Sequence, residues 1–193
     1  LPACQSAASS IDVHEGCAPT IDGTLHLEEW QDGTCFTSAG GDMTIYVKYS
    51  GSTFYMAFST IPSCGCGMGF AFDPDDGSAL DGDEFSVGVF DDPFSANGDR
   101  FDSVYTNNAW ASGSAPAGIV TACPSPAPQP PNAIPYEWSM PFSALGITAG
   151  SPHTFKMAIY HSGQSWPPGI TPDSTGHIDP TQGGSLSSSS NWH

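Results

Sequence analysis

The acidic side chains in the middle of the chain carry the first chemical signal. Residues 67–102 read GMGFAFDPDDGSALDGDEFSVGVFDDPFSANGDRFD. Asp73, Asp75, Asp76, Asp81, Asp83, Glu84, Asp91, Asp92, Asp99 and Asp102 lie there, half of the chain's 20 acids, and only Arg100 opposes them. Like charge at that density repels itself unless cations neutralise it. Carboxylates at alternating turn positions are the hard oxygen donors that Ca²⁺ selects. With Asp73 as position 1, Asp75, Asp81 and Glu84 fall at positions 3, 9 and 12, the spacing of an EF-hand loop. Gly77 and Ser78 hold positions 5 and 6, so the turn glycine is displaced, and the flanks alternate like strands. The reading is a calcium loop between strands. Asp73, Asp75, Asp81, Asp83 and Glu84 make the main site, with Asp91, Asp92, Asp99 and Asp102 in reserve for a second. The plainer alternative is a solvated acidic turn in an acidic protein.

A second set of residues suits sugar recognition. Sugars stack their apolar faces on flat rings, while amides and carboxylates satisfy the hydroxyls. Trp110, Trp166, Tyr105, Asn107, Asn108 and Gln164 are of that type, in polar or Pro-rich stretches that read as loops. Structurally, each tryptophan could equally pack against its own loop. The histidines His14, His26, His153, His161, His177 and His193 are scattered, with no HxH or HxxxH pair to nominate a copper site. No GxSxG elbow is present. Glu137 stands alone on a strand, and a glycosidase needs a second carboxylate within about 10 Å. No pattern nominates one, so the expectation is no catalysis.

Six cysteines, Cys4, Cys17, Cys35, Cys64, Cys66 and Cys123, occur in a chain with only 3 Lys and Arg. An even count in so Lys-poor a composition predicts secretion, to the extracellular space or the cell surface, and three disulfides. Cys64-Gly-Cys66 is too tight to bridge with itself, and no zinc spacing is present. The start at Leu1-Pro2 is read as that of a mature chain whose signal has been removed. A net charge of −17 speaks against nucleic acid and anionic membranes, whose contacts need Lys and Arg. No apolar run is long enough to insert in a membrane.

The elements that must position these groups are short strands. With 22 Gly and 18 Pro the chain is rich in turns and poor in long helices, and 11 Phe, 6 Tyr and 5 Trp suffice for a core. Met43 to Tyr49 and Thr53 to Ser59 alternate about the turn at residues 50–52 and form a hairpin. Strands are also predicted at residues 67–72, 84–90, 100–106, 118–122, 134–140 and 154–160, with weaker ones at 10–14 and beginning at Ile21. Leu25 to Trp30 and Phe142 to Leu145 read as helical turns, the latter closed by Gly146, and Trp30 should pack inward. The chain beyond His161 reads as irregular. The predicted organisation is a disulfide-pinned arm, residues 1–19, followed by one domain, residues 20–193. The proline-rich run at 124–131 is a surface crossing rather than a linker, since the residues beyond it cannot bury a core alone. The fold class is all-β, an antiparallel two-sheet β-sandwich of jelly-roll type with long disulfide-pinned loops and very short helical turns.

Several motifs in order resemble the family 9 carbohydrate-binding modules. They are Ile21-Asp22-Gly23 with Glu29-Trp30, then Phe54-Tyr55-Met56-Ala57, then the Asp-rich segment. Tyr136-Glu137-Trp138-Ser139-Met140-Pro141-Phe142 with Leu145-Gly146 is next, and Ser165-Trp166-Pro167-Pro168 comes last. The resemblance implies an antiparallel sandwich with calcium in its loops, and a sugar gripped between two tryptophans in some relatives. It matches Trp166 to a sugar-stacking position with Trp110 as its partner, and makes Trp30 and Trp138 structural. The expectation is therefore a non-catalytic, calcium-stabilised extracellular module whose partner is carbohydrate. Two alternatives stay open. One is a structural subunit of a filament or surface layer, whose partners are copies of itself. The other is a copper-binding surface protein.

Overall fold

The computed structural model describes residues 4–6, 11–37, 43–60, 68–75, 81–90, 99–106, 109–123, 134–161 and 164–166. The strands are β1 (Gln5–Ser6), β2 (Thr34–Thr37), β3 (Met43–Ser50), β4 (Thr53–Thr60), β5 (Met68–Asp73) and β6 (Phe85–Phe90). They continue with β7 (Asp99–Thr106), β8 (Ala109–Ser112), β9 (Val120–Ala122), β10 (Ile134–Pro141), β11 (Lys156–His161) and β12 (Gln164–Trp166). Helical structure among the described residues is confined to two 3-10 turns, Leu27–Trp30 and Phe142–Leu145. The first sheet runs β1-β2-β3-β4-β10-β9 and the second β12-β11-β5-β6-β7-β8. All pairings are antiparallel except that of β1 with β2. The architecture is the expected all-β sandwich.

Period-two alternation builds the core. Ile45, Val47, Phe54, Met56, Phe58, Tyr136, Trp138 and Met140 project from the first sheet onto Phe70, Phe72, Phe85, Val87, Met157 and Ile159 of the second. Rings interlock across the gap: Phe70 meets Trp138 edge-on at 5.6 Å, and Phe54 meets Phe72 edge-on at 6.1 Å. Each buried Phe or Trp contributes about 2–3 kcal/mol through area removed from water, before ordering costs.

The outer face of the first sheet is covered as well. Register carries Glu137, Ala57, Tyr46 and Cys35 across it in one row. Trp30, Tyr46 and Ala57 form a second apolar cluster there, joined by Ile21, Leu25 and Tyr55. Residues 21–30 thus lie on the sheet, anchored by Lys48, while Ile11 and Val13 pack against the core between the sheets. A bridge between Glu15 and Tyr49 and the Cys4–Cys35 disulfide tie the arm that precedes them to the same sheet.

Some expectations are corrected. Residues 11–14 and Ile21 are not strands, and the arm's strand is β1 instead. β2, β8 and β12 lie outside the predicted elements, being four, four and three residues long with no alternation to reveal them. Their pairing partners, not their composition, make them strands. Of the expected disulfides, Cys4–Cys35 is formed. Cys17 forms none with any described cysteine; it is exposed, and its N–H donates to Asp32 Oδ2 at 2.6 Å. Cys123 is buried in the core. Cys64 and Cys66, the proline-rich crossing at 124–131 and the residues after 166 lie outside the described residues.

A candidate metal centre and its surroundings

β5 ends at Asp73 and β6 begins at Phe85, and the residues that bound this turn bring their carboxylates together. Asp73 and Glu84 are buried, whereas Asp75, Asp81 and Asp83 are exposed. Oxygens of Asp73, Asp75 and Asp83 lie within 4.8 Å of one another, as do those of Asp81, Asp83 and Glu84. The five acids assigned to the main site therefore converge, and Asp83 belongs to both sets. Each set can hold a metal ion.

The local chain is built for this. The Glu84 carboxylate accepts N–H bonds from Asp81 at 2.7 Å and from Gly82 at 2.9 Å, which curls the turn around it. Gly82 has φ of +119°, a conformation that side chains rarely adopt. A carboxylate has about four acceptor sites, so these two bonds leave capacity on Glu84 for a cation. Across the turn, His153 Nε2 lies 2.8 Å from the Pro74 carbonyl. Although Asp83 is exposed as a residue, partial desolvation of its carboxyl in the turn pushes it up to about 6, and the charges of Asp75, Asp81 and Glu84 push the same way. Crowded carboxylates respond in two ways: one stays protonated, or a cation arrives.

The reserve site fares differently. Asp102 is held by Arg100, whose Nε and Nη2 donate to its two oxygens at 2.8 and 3.0 Å, and it also accepts from the Ala115 N–H at 3.3 Å. That carboxylate is already partnered by a guanidinium. Asp99 is placed in β7 opposite Phe90 by its backbone. Asp91 and Asp92 lie outside the described residues.

Tyr105 and Trp110 are direct cross-strand partners on β7 and β8. The Tyr105 N–H donates to the Glu84 carbonyl at 3.0 Å, so this pair of positions adjoins the acidic turn. Asn107 and Asn108, between the two strands, lie outside the described residues. Gln164 and Trp166 sit on β12, at the other edge of the same sheet. Five inter-strand spacings of about 4.8 Å put Trp110 and Trp166 roughly 24 Å apart. Moreover, Trp166 is in register with Ile159, a core position. The fold does not bring these two tryptophans together around one sugar ring. Trp30 and Trp138 are buried, as structural residues should be.

Two buried charged side chains lie outside the predicted site residues. Lys48 is fully buried, donates to the Glu29 carbonyl and to Asp32 Oδ1 at 2.8 Å, and lies 5.4 Å from the Trp30 ring centroid. That partner holds the Asp32 carboxyl below its ordinary range. Glu137 is fully buried, and its Oε2 accepts the N–H groups of Asp22 at 3.1 Å and Gly23 at 2.9 Å. Burial raises its carboxyl to about 7. An alternating strand that places a charge between aromatic core residues, as Glu137 stands between Tyr136 and Trp138, gives a partial hint. Nothing comparable marks Lys48.

No protein-family model matches this chain, and no curated protein is similar to it at a significant level.

Proposed function

We propose that this chain is a calcium-stabilised extracellular β-sandwich module, without a catalytic role, that binds carbohydrate beside its ion site. The observation that carries the reading is the convergence of Asp73, Asp75, Asp81, Asp83 and Glu84, adjoined by the Tyr105–Trp110 pair on the same sheet. Several carboxylates on an irregular turn suit Ca²⁺, which takes six to eight oxygens flexibly, better than Mg²⁺, which demands a near-ideal octahedron. The Cys4–Cys35 disulfide supports an oxidising compartment. The sugar would stack on the aromatic residues at positions 105 and 110. Trp166 and Gln164, on the far edge, drop out of the binding site.

Thermal melting in Ca²⁺ and in EDTA tests the ion. An ion present at about 100 times its Kd adds about 2.7 kcal/mol to the folded state. For a chain of this size that raises Tm by roughly 5–10 °C. Identical melts in EDTA and in excess Ca²⁺ would sink the calcium reading. Retention on immobilised polysaccharides tests the ligand. Tyr105→Ala and Trp110→Ala should each abolish retention while leaving the calcium-dependent melt unchanged; undiminished retention rejects the assignment.

One observation favours the assembly reading. Trp110 and Trp166 lie on opposite edge strands of one sheet, as contacts between successive copies would require. The copper reading gains nothing among the described residues. His26 faces Asp22 and Glu28, and His153 faces a backbone carbonyl.

A further inference from the structure

Two buried ionisable side chains of the first sheet, of opposite chemistry, fasten the segment over its outer face. At residues 29–32 the buried Lys48 ammonium donates to the Glu29 carbonyl and the Asp32 carboxylate. At residues 22–23 the turn is held by Glu137, through the two N–H bonds to Oε2. The other oxygen, Oε1, is buried with no hydrogen-bond partner among the described residues. The turn has no slack. Gly23 has φ of +83°, and a Cβ there would fall 2.5 Å from the Cys123 carbonyl.

We propose that Glu137 is a proton-operated latch, which seats the Asp22–Gly23 turn while its carboxyl is protonated and lets the strap of residues 20–28 lift when it ionises. The two N–H bonds favour the carboxylate, but burial outweighs them, and the carbonyl oxygen of the neutral acid accepts both N–H groups without burying a charge. Ionisation leaves a charged Oε1 in the apolar layer without a donor. The neighbours make this worse. Asp22 and Glu29 on the strap are acidic, and both raise the Glu137 carboxyl. His26 lies 3.8 Å from Asp22 and 3.9 Å from Glu28, on the exposed side. From the sheet, Tyr46 faces the same layer with its hydroxyl pushed up by burial, and Cys123 abuts the turn. Lys48, on the same face of the sheet, stands two strands over and one row along, and is held by Asp32. Lifting the turn hydrates the carboxylate, while the Lys48 anchor holds the other end of the strap.

The sign comes from linkage. The seated carboxyl holds its proton up to about pH 7, and the lifted one loses it near the ordinary 4.5. Opening therefore becomes easier as pH rises between those values and levels above 7. Amide exchange read by NMR tests this, with each rate corrected for its intrinsic pH dependence. Protection of the Asp22 and Gly23 amides should fall roughly 50-fold from pH 5 to 8. Protection of the β3–β4 amides should stay level, and Glu137→Gln should abolish the trend at residues 22 and 23. A flat profile in the unchanged protein overturns the latch. So does a parallel fall in the β3–β4 amides, or an undiminished trend in the variant. Should the variant not fold, the carboxyl titration of isotope-labelled glutamate in the unchanged protein decides. A midpoint near 7 supports the latch, and one near 4.5 overturns it.

Discussion

At the scale of single residues, Asp83 is shared between two ligand sets and carries the strain of both. Without a cation its charge opposes those of Asp75, Asp81 and Glu84; with one it becomes a bridge. Asp83→Asn keeps the shape and removes the repulsion. It should raise Tm in EDTA by a few degrees and weaken Ca²⁺ binding at least tenfold, about 1.4 kcal/mol. Calorimetric titration beside paired melts reads both effects. A variant that loses stability in EDTA, or binds Ca²⁺ as well as before, would show that Asp83 is a solvated surface charge. Glu84 differs, because its oxygens also hold the Asp81 and Gly82 amides. Glu84→Gln should therefore damage the turn as well as the ion site.

At the scale of elements, the strap is where sequence and structure part most clearly. The Asp22-Gly23 turn and the inward packing of Trp30 were legible, because a D-G pair and a tryptophan after an acidic helical turn have local causes. The anchors were not. Lys48 lies on the strand face opposite the core side chains, where a lysine normally reaches water, and only a segment folding back over that face buries it. Likewise β2, β8 and β12 owe their form to partner strands, and no pattern of three or four residues can announce that. The acidic turn was legible because its ligands are close in sequence. The separation of Trp110 from Trp166 was not, because edge order is a property of the whole sheet. Two substitutions test the strap. Gly23→Ala puts a methyl against the Cys123 carbonyl at a positive φ and should cost about 2–4 kcal/mol in urea denaturation. Lys48→Ala removes the anchor and its stem and should cost about 2–3 kcal/mol. An effect under about 0.5 kcal/mol for either, the level of ordinary surface changes, would mean that the strap is not integral to the fold.

At the scale of the whole molecule, the governing quantity is a net charge of −17 with only 3 basic residues. None of those three sits in a basic patch. Lys48 is buried on Asp32, Arg100 holds Asp102 and the Ile119 carbonyl, and Lys156 stands in register with Asp73. The remaining acids repel one another through water, a force that salt screens over about 10 Å at 0.1 M. Contact between copies is therefore opposed at low salt, and a divalent cation held at the acidic turn would ease it. This makes particle mass, measured by light scattering in EDTA and then in Ca²⁺, the measurement that separates the two leading readings. The binding-module reading expects a particle of about 20 kDa in both conditions, with Ca²⁺ changing Tm but not mass. Growth to long polymers in Ca²⁺, reversed by EDTA, would transfer the acidic turn and the two tryptophan-bearing edge strands to assembly. Growth on added NaCl alone would instead point to screened general repulsion, because monovalent salt does not fill a carboxylate site built for a divalent ion.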